Sequence, residues 1–538
     1  MFRTLLSNNT NRRATLYALL VVAIVSCLTL IDVYSGEYKY GFGNQGEVIP
    51  IHMRLENPDY LSEDYLVNSL QQYNVRTNFS YFMYLNRIVT FGVFDYPAIY
   101  LFYYIAVSFF SMLGIYFMTE FFSRSKAYRL CILVLTMITP MISIGGTYLF
   151  TRYYRELLPS SFAALFMIWA VYFFLKKRYF TTFFLLALAT CFHVLIGILS
   201  AIIFGVALIY TLRLKKKKKI VLIIGMYGLL SLPFLMPPIV DMVNSGTVDS
   251  DRVAYIIAFF RNPHHYVPST WDVGPVIRFF VLELIAVALL FTNPIKKSRY
   301  LKVSLLIFFL ITNLMFLVGY VFVDVYPVSG IIKLQIFRIS ILNDLIIRII
   351  LISSLFYYLH TLFSKRIHEH VVRIGLCCIF VIFIISVAIW KFPNYGKFLY
   401  YKQIPPFPEQ MNAIEWIKRN TSDDSVFITS ISDHYFRLQA ERAVVINFKQ
   451  FVFRDADVLE WYSRIEDLCG MEKPACVGWD CVEYCRLEFL KYTEDDMLYL
   501  DQKYGADYVF TTTGHELSFS KVYEDQGYTI YKLPPNEE

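Results

Sequence analysis

Eleven separate stretches of this chain are apolar over about the 20 residues that a helix needs to cross a bilayer. They cover 14–34, 98–122, 128–149, 158–175, 179–194, 196–213, 219–237, 275–292, 301–323, 340–363 and 371–390. Composition points the same way: 57% of the 538 residues are hydrophobic and only 17% charged, where a soluble domain sits nearer a quarter charged. The expected architecture is an all-α polytopic membrane bundle of about eleven transmembrane helices over 1–390. The stretch 14–34 is too long for a signal-peptide core and lacks a small-residue cleavage site, so it is expected to stay as the first span.

Basic residues then choose the orientation. Arg3, Arg12 and Arg13 precede the first span; Arg124, Lys126 and Arg129 follow the second; Lys176, Lys177 and Arg178 follow the fourth. The lysines at 215–219 follow the sixth, Lys296, Lys297 and Arg299 the eighth, and Lys365 and Arg366 the tenth. All fall on one side if the N terminus is cytoplasmic, as the positive-inside rule requires. The net charge of +7 therefore reads as topology and not as nucleic-acid binding. The opposite side receives a long first loop, 35–97, the turn 152–159, the tip at His193, the loops 241–273 and 324–335, and the whole tail.

The tail, 391–538, changes character. Charges rise, SVFITSI, AVVINF, DYVFTTT and YTIYKLP read as strands, and DADVLEWYSRIEDL and DDMLYLDQKYG as amphipathic helices. This predicts a small C-terminal α/β domain on the extracytoplasmic side. Cys469, Cys476, Cys481 and Cys485 crowd into one polar stretch, which suggests two disulfides in an oxidising compartment over a metal site, because the spacings match no zinc ribbon.

Carboxylates at the edge of hydrocarbon are costly unless solvated or put to use. The first loop sets Glu47, Asp59 and Asp64, with His52, just outside the membrane. Glu47 and Asp64 are candidate general bases, which need reach and ionisation near neutral pH; Asn57-Pro58-Asp59 and Ser62-Glu63-Asp64 also read as helix starts, in which the acids would serve as caps. In YIIAFFRNPHHYVPSTWD, Arg261, His264 and His265 join a guanidinium to two imidazoles, a set suited to a phosphate leaving group that gains charge as its bond breaks. Lipid-headgroup anchoring is the plainer reading of the same residues. Arg338 in KLQIFRIS is a charge at a span entrance that should face a cavity. Arg155 in TRYYRELLPS suits either a phosphate or a salt bridge with Glu156, and His193 lies at a tight helix–helix turn. No Ser-His-Asp order, HExxH or P-loop pattern is present.

The stretches GNQGEVIPIHMRLENPDYLSEDYLVNS, RYYRELLPSSFAALFM, KKRYFTTFFLLALATCFHVLIGIL, FRNPHHYVPSTW and LQIFRIS, with WIKRNTSDDSVF in the tail, resemble the GT-C superfamily of integral membrane glycosyltransferases, in particular its uncharacterised bacterial members. The resemblance implies a polyprenyl-phosphate-linked sugar donor and a glycan, lipid or protein acceptor on the outer face of a bacterial cytoplasmic membrane. It implies inversion at the anomeric carbon and a first-loop carboxylate, Glu47 or Asp64, as base. The chain has neither an Asp-Glu pair directly after the first span nor an Asp-x-Asp in the loop, which leaves a divalent metal requirement open. The rival readings are a lipid-linked sugar flippase, which predicts internal pseudo-symmetry and broken helices at the midplane, and a non-catalytic envelope-assembly protein.

Overall fold

The computed structural model describes residues 9–35, 38, 40–41, 43–72, 96–146, 156–213, 216–244, 248–292, 298–364, four positions between 371 and 378, 410–452, 454–470 and 476–535. Most of this is helix, followed by one small sheet. The chain is an integral membrane bundle with a C-terminal α/β domain.

Among the described residues, six helices are long and apolar enough to cross a membrane: Tyr96–Phe121, Val194–Leu212, Lys217–Pro237, Val273–Thr292, Arg299–Val325 and Ser329–Ser364. This corrects the expected eleven. Apolar windows of 16 to 22 residues overcount because some contain a helix that stops early. The stretch 128–149 yields only Lys126–Ile138, since Thr139 turns extended (ψ 142°) ahead of Pro140, whose ring disfavours helix in the residue before it. Pro159–Leu175 and Tyr179–Phe192 are 17 and 14 residues long, about 25 and 21 Å at 1.5 Å per residue, short of a 30 Å hydrocarbon core. In the first stretch the apolar helix is Tyr17–Leu30. The stretch 371–390 lies almost wholly outside the described residues.

Ser340–Ser364 is the central helix, with Ile341, Leu342, Leu345, Ile347 and Ile349 fully buried. It also carries a buried ion pair, Arg348 to Asp344 at 2.6 Å. The free ends of that pair hold the neighbouring chain: Arg348 donates to the carbonyl of Thr136 at 2.7 Å, and Asp344 accepts the N–H of Ile142 at 2.9 Å. Ser340 donates to the Ile144 carbonyl at 2.8 Å. The segment after the Pro140 break is thus fastened by side chains where no helix ladder serves it, as buried backbone requires. It ends at Gly145 and Gly146, both left-handed at φ +71° and +61°.

At one end of the bundle the first loop forms two short helices, Gln45–Glu56 and Tyr65–Gln72. Asp64 caps the second, its Oδ1 accepting the N–H of Val67 at 3.0 Å, as the helix-start reading expects.

The C-terminal sheet runs β2-β1-β3-β5-β4, with β1 Val426–Ile428, β2 Ala443–Val444, β3 Tyr508–Thr512, β4 Ser520–Glu524 and β5 Tyr528–Lys532. β1 pairs in parallel with β2 and β3, and β5 runs antiparallel to β3 and β4. Strand alternation sends Phe427, Val444, Phe510 and Ile530 to one face, against Ile414 and Ile417 of the Met411–Asn420 helix. Val426, Ile428, Val509 and Tyr531 go to the other, against Val458 and Trp461 of Asp455–Cys469. Four strands and both helices match the sequence expectation; β4, half exposed, has little apolar alternation to reveal it. The four tail cysteines form two disulfides, Cys469–Cys485 and Cys476–Cys481.

The domain sits on the loop end of the bundle. Arg437 pairs with Asp64 at 2.7 Å, both without solvent exposure. Lys333 pairs with Asp455 at 2.6 Å, Tyr65 donates to the Asp457 carbonyl at 2.8 Å, and Gly478 N–H donates to the Phe260 carbonyl at 2.6 Å.

Candidate functional site

Four stretches far apart in sequence converge under the C-terminal domain: the first turn of Gln45–Glu56, the loop at Glu156, the segment from Ile256 to Tyr266, and the strand-following segment around Lys449. Arg338 and His193 approach from the bundle side.

Arg261 ends a π-helical turn, Ile256–Arg261. Its guanidinium lies over the Phe451 ring, 4.3 Å from the centroid, and donates to Asn262 Oδ1 at 3.0 Å and to the Lys449 carbonyl. Its Nε is buried with no hydrogen-bond partner. Burial pulls Arg261 down to about 10, and Glu47 is the leading charge that opposes this. Lys449 is also lowered by burial, with Glu156 opposing, Arg261 adding to the fall and Glu47 opposing again. Glu47 is half-buried and so lies within the field of two cations.

Pro263–Tyr266 is a single short turn, and it brings the rings of His264 and His265 to 4.0 Å. Adjacent histidines diverge on a regular helix or strand; here the turn makes them converge. His265 Nδ1 lies 2.8 Å from the Gly145 carbonyl, which assigns the proton to Nδ1 and leaves Nε2 as an acceptor. The approach needs Gly146: a Cβ there would fall 2.6 Å from His265 Nδ1. Burial, then Arg261, Lys449 and Arg338, hold His264 down at about 4, and burial and Arg338 take His265 well below the usual range. Both rings are neutral at pH 7.

Arg338 stands 3.5 Å from His193 Nε2, and its Nε too is buried without a partner. His193 Nδ1 accepts the N–H of Ile196 at 3.3 Å, capping the helix that follows. His434, brought in by the tail, has a buried Nδ1 with no partner and is lowered to about 4 by burial, Lys449 and Arg261.

Of the sequence candidates, Glu47, Arg261, His264, His265, Arg338 and His193 meet at this site. His52 lies inside the bundle packing instead, fully buried with Tyr100 Oη 3.0 Å from its Nδ1. Asp59 is exposed, in a turn where Asn57 Oδ1 accepts its N–H. Asp64 is committed to Arg437 and to the N–H groups of Val67 and Val444. Arg155 lies outside the described residues. Lys449 and His434 escaped sequence reasoning, because NFKQF and SDHYF carry no signal beyond one polar residue in an apolar or loop context. Among the described residues no three His, Cys, Asp or Glu side chains gather closely enough to hold a metal ion.

Residues 408–468 match DUF6798, a domain of unknown function. No curated protein matches the chain. Among solved structures, the archaeal oligosaccharyltransferase AglB from Archaeoglobus fulgidus, in complex with an inhibitory peptide and a dolichol-phosphate, is similar at 12% identity and a TM-score of 0.47, over 92% of this chain and 69% of that one.

Proposed function

We propose that this protein is a membrane glycosyltransferase that moves a sugar from a polyprenyl-phosphate donor to an acceptor hydroxyl or amide at the extracytoplasmic surface. The observation that carries the reading is one carboxylate, Glu47, in the field of Arg261 and Lys449, with Arg338 acting on the adjoining histidine pair, and with a buried Nε on both arginines that has no partner. Orphaned buried donors are expensive, and a phosphate would satisfy them.

In this reading Glu47 takes the proton of the acceptor. The acceptor oxygen or nitrogen attacks the anomeric carbon from the side opposite the phosphate, and the carbon–oxygen bond to phosphate breaks with its electron pair leaving on the lipid phosphate. Arg261, Arg338 and Lys449 neutralise that charge as it grows. Neutral His264 supplies a hydrogen bond without adding charge, which keeps phosphate release feasible, while His265, whose Nδ1–H is given to the Gly145 carbonyl, holds the turn that carries it. Asp64 serves as a structural tie, since Arg437 and two backbone N–H groups already occupy its carboxylate.

The test is transfer of a labelled sugar from a polyprenyl-phosphate donor by purified, reconstituted protein. Glu47→Gln should lower the rate by about 10²–10⁴-fold, the range for loss of a general base, with donor binding kept. Full activity in Glu47→Gln would overturn the assignment. Wild-type protein that binds the donor and transfers nothing would favour the flippase or assembly readings.

A further inference from the structure

Glu156 is buried, 3% exposed, and belongs to neither helix of the first loop, yet it is built into the turn that carries Glu47. Its Oε2 accepts the N–H of Gln45 at 3.1 Å, at the N-terminus of Gln45–Glu56. Gln45 in turn donates through Nε2 to the Leu157 carbonyl at 3.0 Å and accepts the Gly41 N–H at 2.8 Å through Oε1. The turn and the Glu156–Leu157 segment are therefore stitched in both directions. Gly43 is left-handed, φ +58°, and a Cβ at that position would fall 2.5 Å from Glu156 Oε1. The backbone has been brought as close to this carboxyl as a glycine allows.

We propose that Glu156 is a positioning residue for Glu47: it caps the helix start two residues before Glu47 and fixes where that carboxylate stands relative to Arg261 and Lys449. This rests on the reading of Glu47 as the base. A carboxyl group at a helix N-terminus satisfies N–H groups that have no partner in the helix. The first turn of a 12-residue helix would otherwise be free to shift, and a displacement of about 1 Å at a reacting group costs about 10²-fold in rate.

The groups that face Glu156 are Lys449 from the tail domain, Glu47 from the helix it caps, and the phenols of Tyr38 and Tyr435. Burial pushes the Glu156 carboxyl up to about 8, against the pull of Lys449 and the N–H groups of Asn44 and Gln45. Below that pH it is a neutral cap and leaves Lys449 free for the leaving phosphate. Above it, the ionised carboxylate competes for Lys449. Transfer should therefore fall as pH rises through about 8, and Glu156→Gln, which keeps an acceptor oxygen and cannot ionise, should keep the neutral-pH rate within a few-fold and lose that alkaline limb.

Two variants separate positioning from charge. Glu156→Ala should lower kcat about 10²-fold with the KM for donor unchanged, and should speed amide hydrogen exchange across 43–48. Gly43→Ala, which pushes the carboxyl away without removing it, should do the same. Unchanged exchange over 43–48 in both variants would overturn the proposal, as would unchanged kcat in both. Because exchange is read without substrate, the two readings fail separately. Faster exchange in protein where Glu47→Gln retains full activity would reject Glu47 as base and leave Glu156 only a structural cap, so the positioning role would be lost with it. Faster exchange with a lower kcat and a shifted pH profile supports both.

Discussion

The first loop feeds two clusters of buried charge, and they are built differently. At Asp64 the charges are matched one to one: Arg437 takes Oδ2 at 2.7 Å, Val67 and Val444 donate to the same carboxylate, and Gln450 accepts from Arg437 at 3.0 Å, with Arg437 Nη2 buried and without a partner. Around Glu47 the cations gather instead. Arg261 and Lys449 share the field of Glu47 while burial disfavours the charged form of Glu156, and Arg338 adds a third cation beside the histidines. Buried charges that are paired fasten elements together; a surplus of one sign in a partly enclosed site stores affinity for the opposite sign. The 18 residues from Glu47 to Asp64 hold one anchor and one receptor, and the balance of charge around each tells them apart.

The strongest way to break that comparison is Asp64→Asn. The amide keeps the shape of the carboxyl but points N–H groups at Arg437 and the Val444 N–H, and leaves a guanidinium buried without its counter-charge. Removing one partner of a buried pair costs about 3–5 kcal/mol. Chemical unfolding of the purified protein should show a loss of that size, while the folded fraction keeps its transfer rate per molecule. A stable variant with no activity would instead move the base from Glu47 to Asp64.

The two disulfides sharpen the same contrast at smaller magnitude. Cys469–Cys485 ties Asp455–Cys469, the helix whose acidic residues receive Lys333 and Tyr65, to Asp480–Phe489. Cys476–Cys481 frames Gly478, which donates to Phe260 next to Arg261. Loop-closure entropy gives about 3 kcal/mol for the 16-residue separation and about 2 for the separation of 5. Replacing the first pair with alanines should lower tail stability more and leave donor affinity unchanged. Replacing the second should cost less stability and weaken donor binding. The reverse pattern would mean that the site does not depend on the 476–481 loop.

How far the sequence carries depends on what kind of constraint is at work. Long apolar runs announce the bundle, alternation announces four of five strands, and the crowding of Cys469 to Cys485 announces the disulfides, because each signal is local. The helix count misleads because hydropathy averages across the Pro140 break, where backbone geometry and not polarity ends the helix. Arg261, His264, His265 and Arg338 are legible as polar residues stranded among apolar ones. The distinction between Glu47 and Asp64 is not, since it turns on Arg437 and Lys449, more than 370 residues away. Lys449 itself is invisible for the same reason: its chemistry comes from Arg261 and Glu156, which only the fold brings alongside.

The smallest expected effect concerns the histidine pair. His264 lies at about 4 and His265 well below its usual range, because burial and the surplus cations disfavour their charged forms. The unfolded chain binds these protons near pH 6.5 and the folded one does not, so between about 6.5 and 4 the unfolded state holds more protons and stability falls as pH drops. Above 7 the pair contributes no slope. Imidazole NMR of the wild type should show no titration of these rings between pH 8 and 5, and His264→Asn should lessen the acid-side loss of stability. Adding a polyprenyl phosphate should raise the pKa of His264, since an anion seated among Arg261, Lys449 and Arg338 cancels the field that keeps the ring neutral. Asp64→Asn, at the matched cluster, should leave that response intact. A ring that titrates near 6.5 in the free protein, indifferent to phosphate, would mean that the cations are already balanced, and the two clusters would be of one kind.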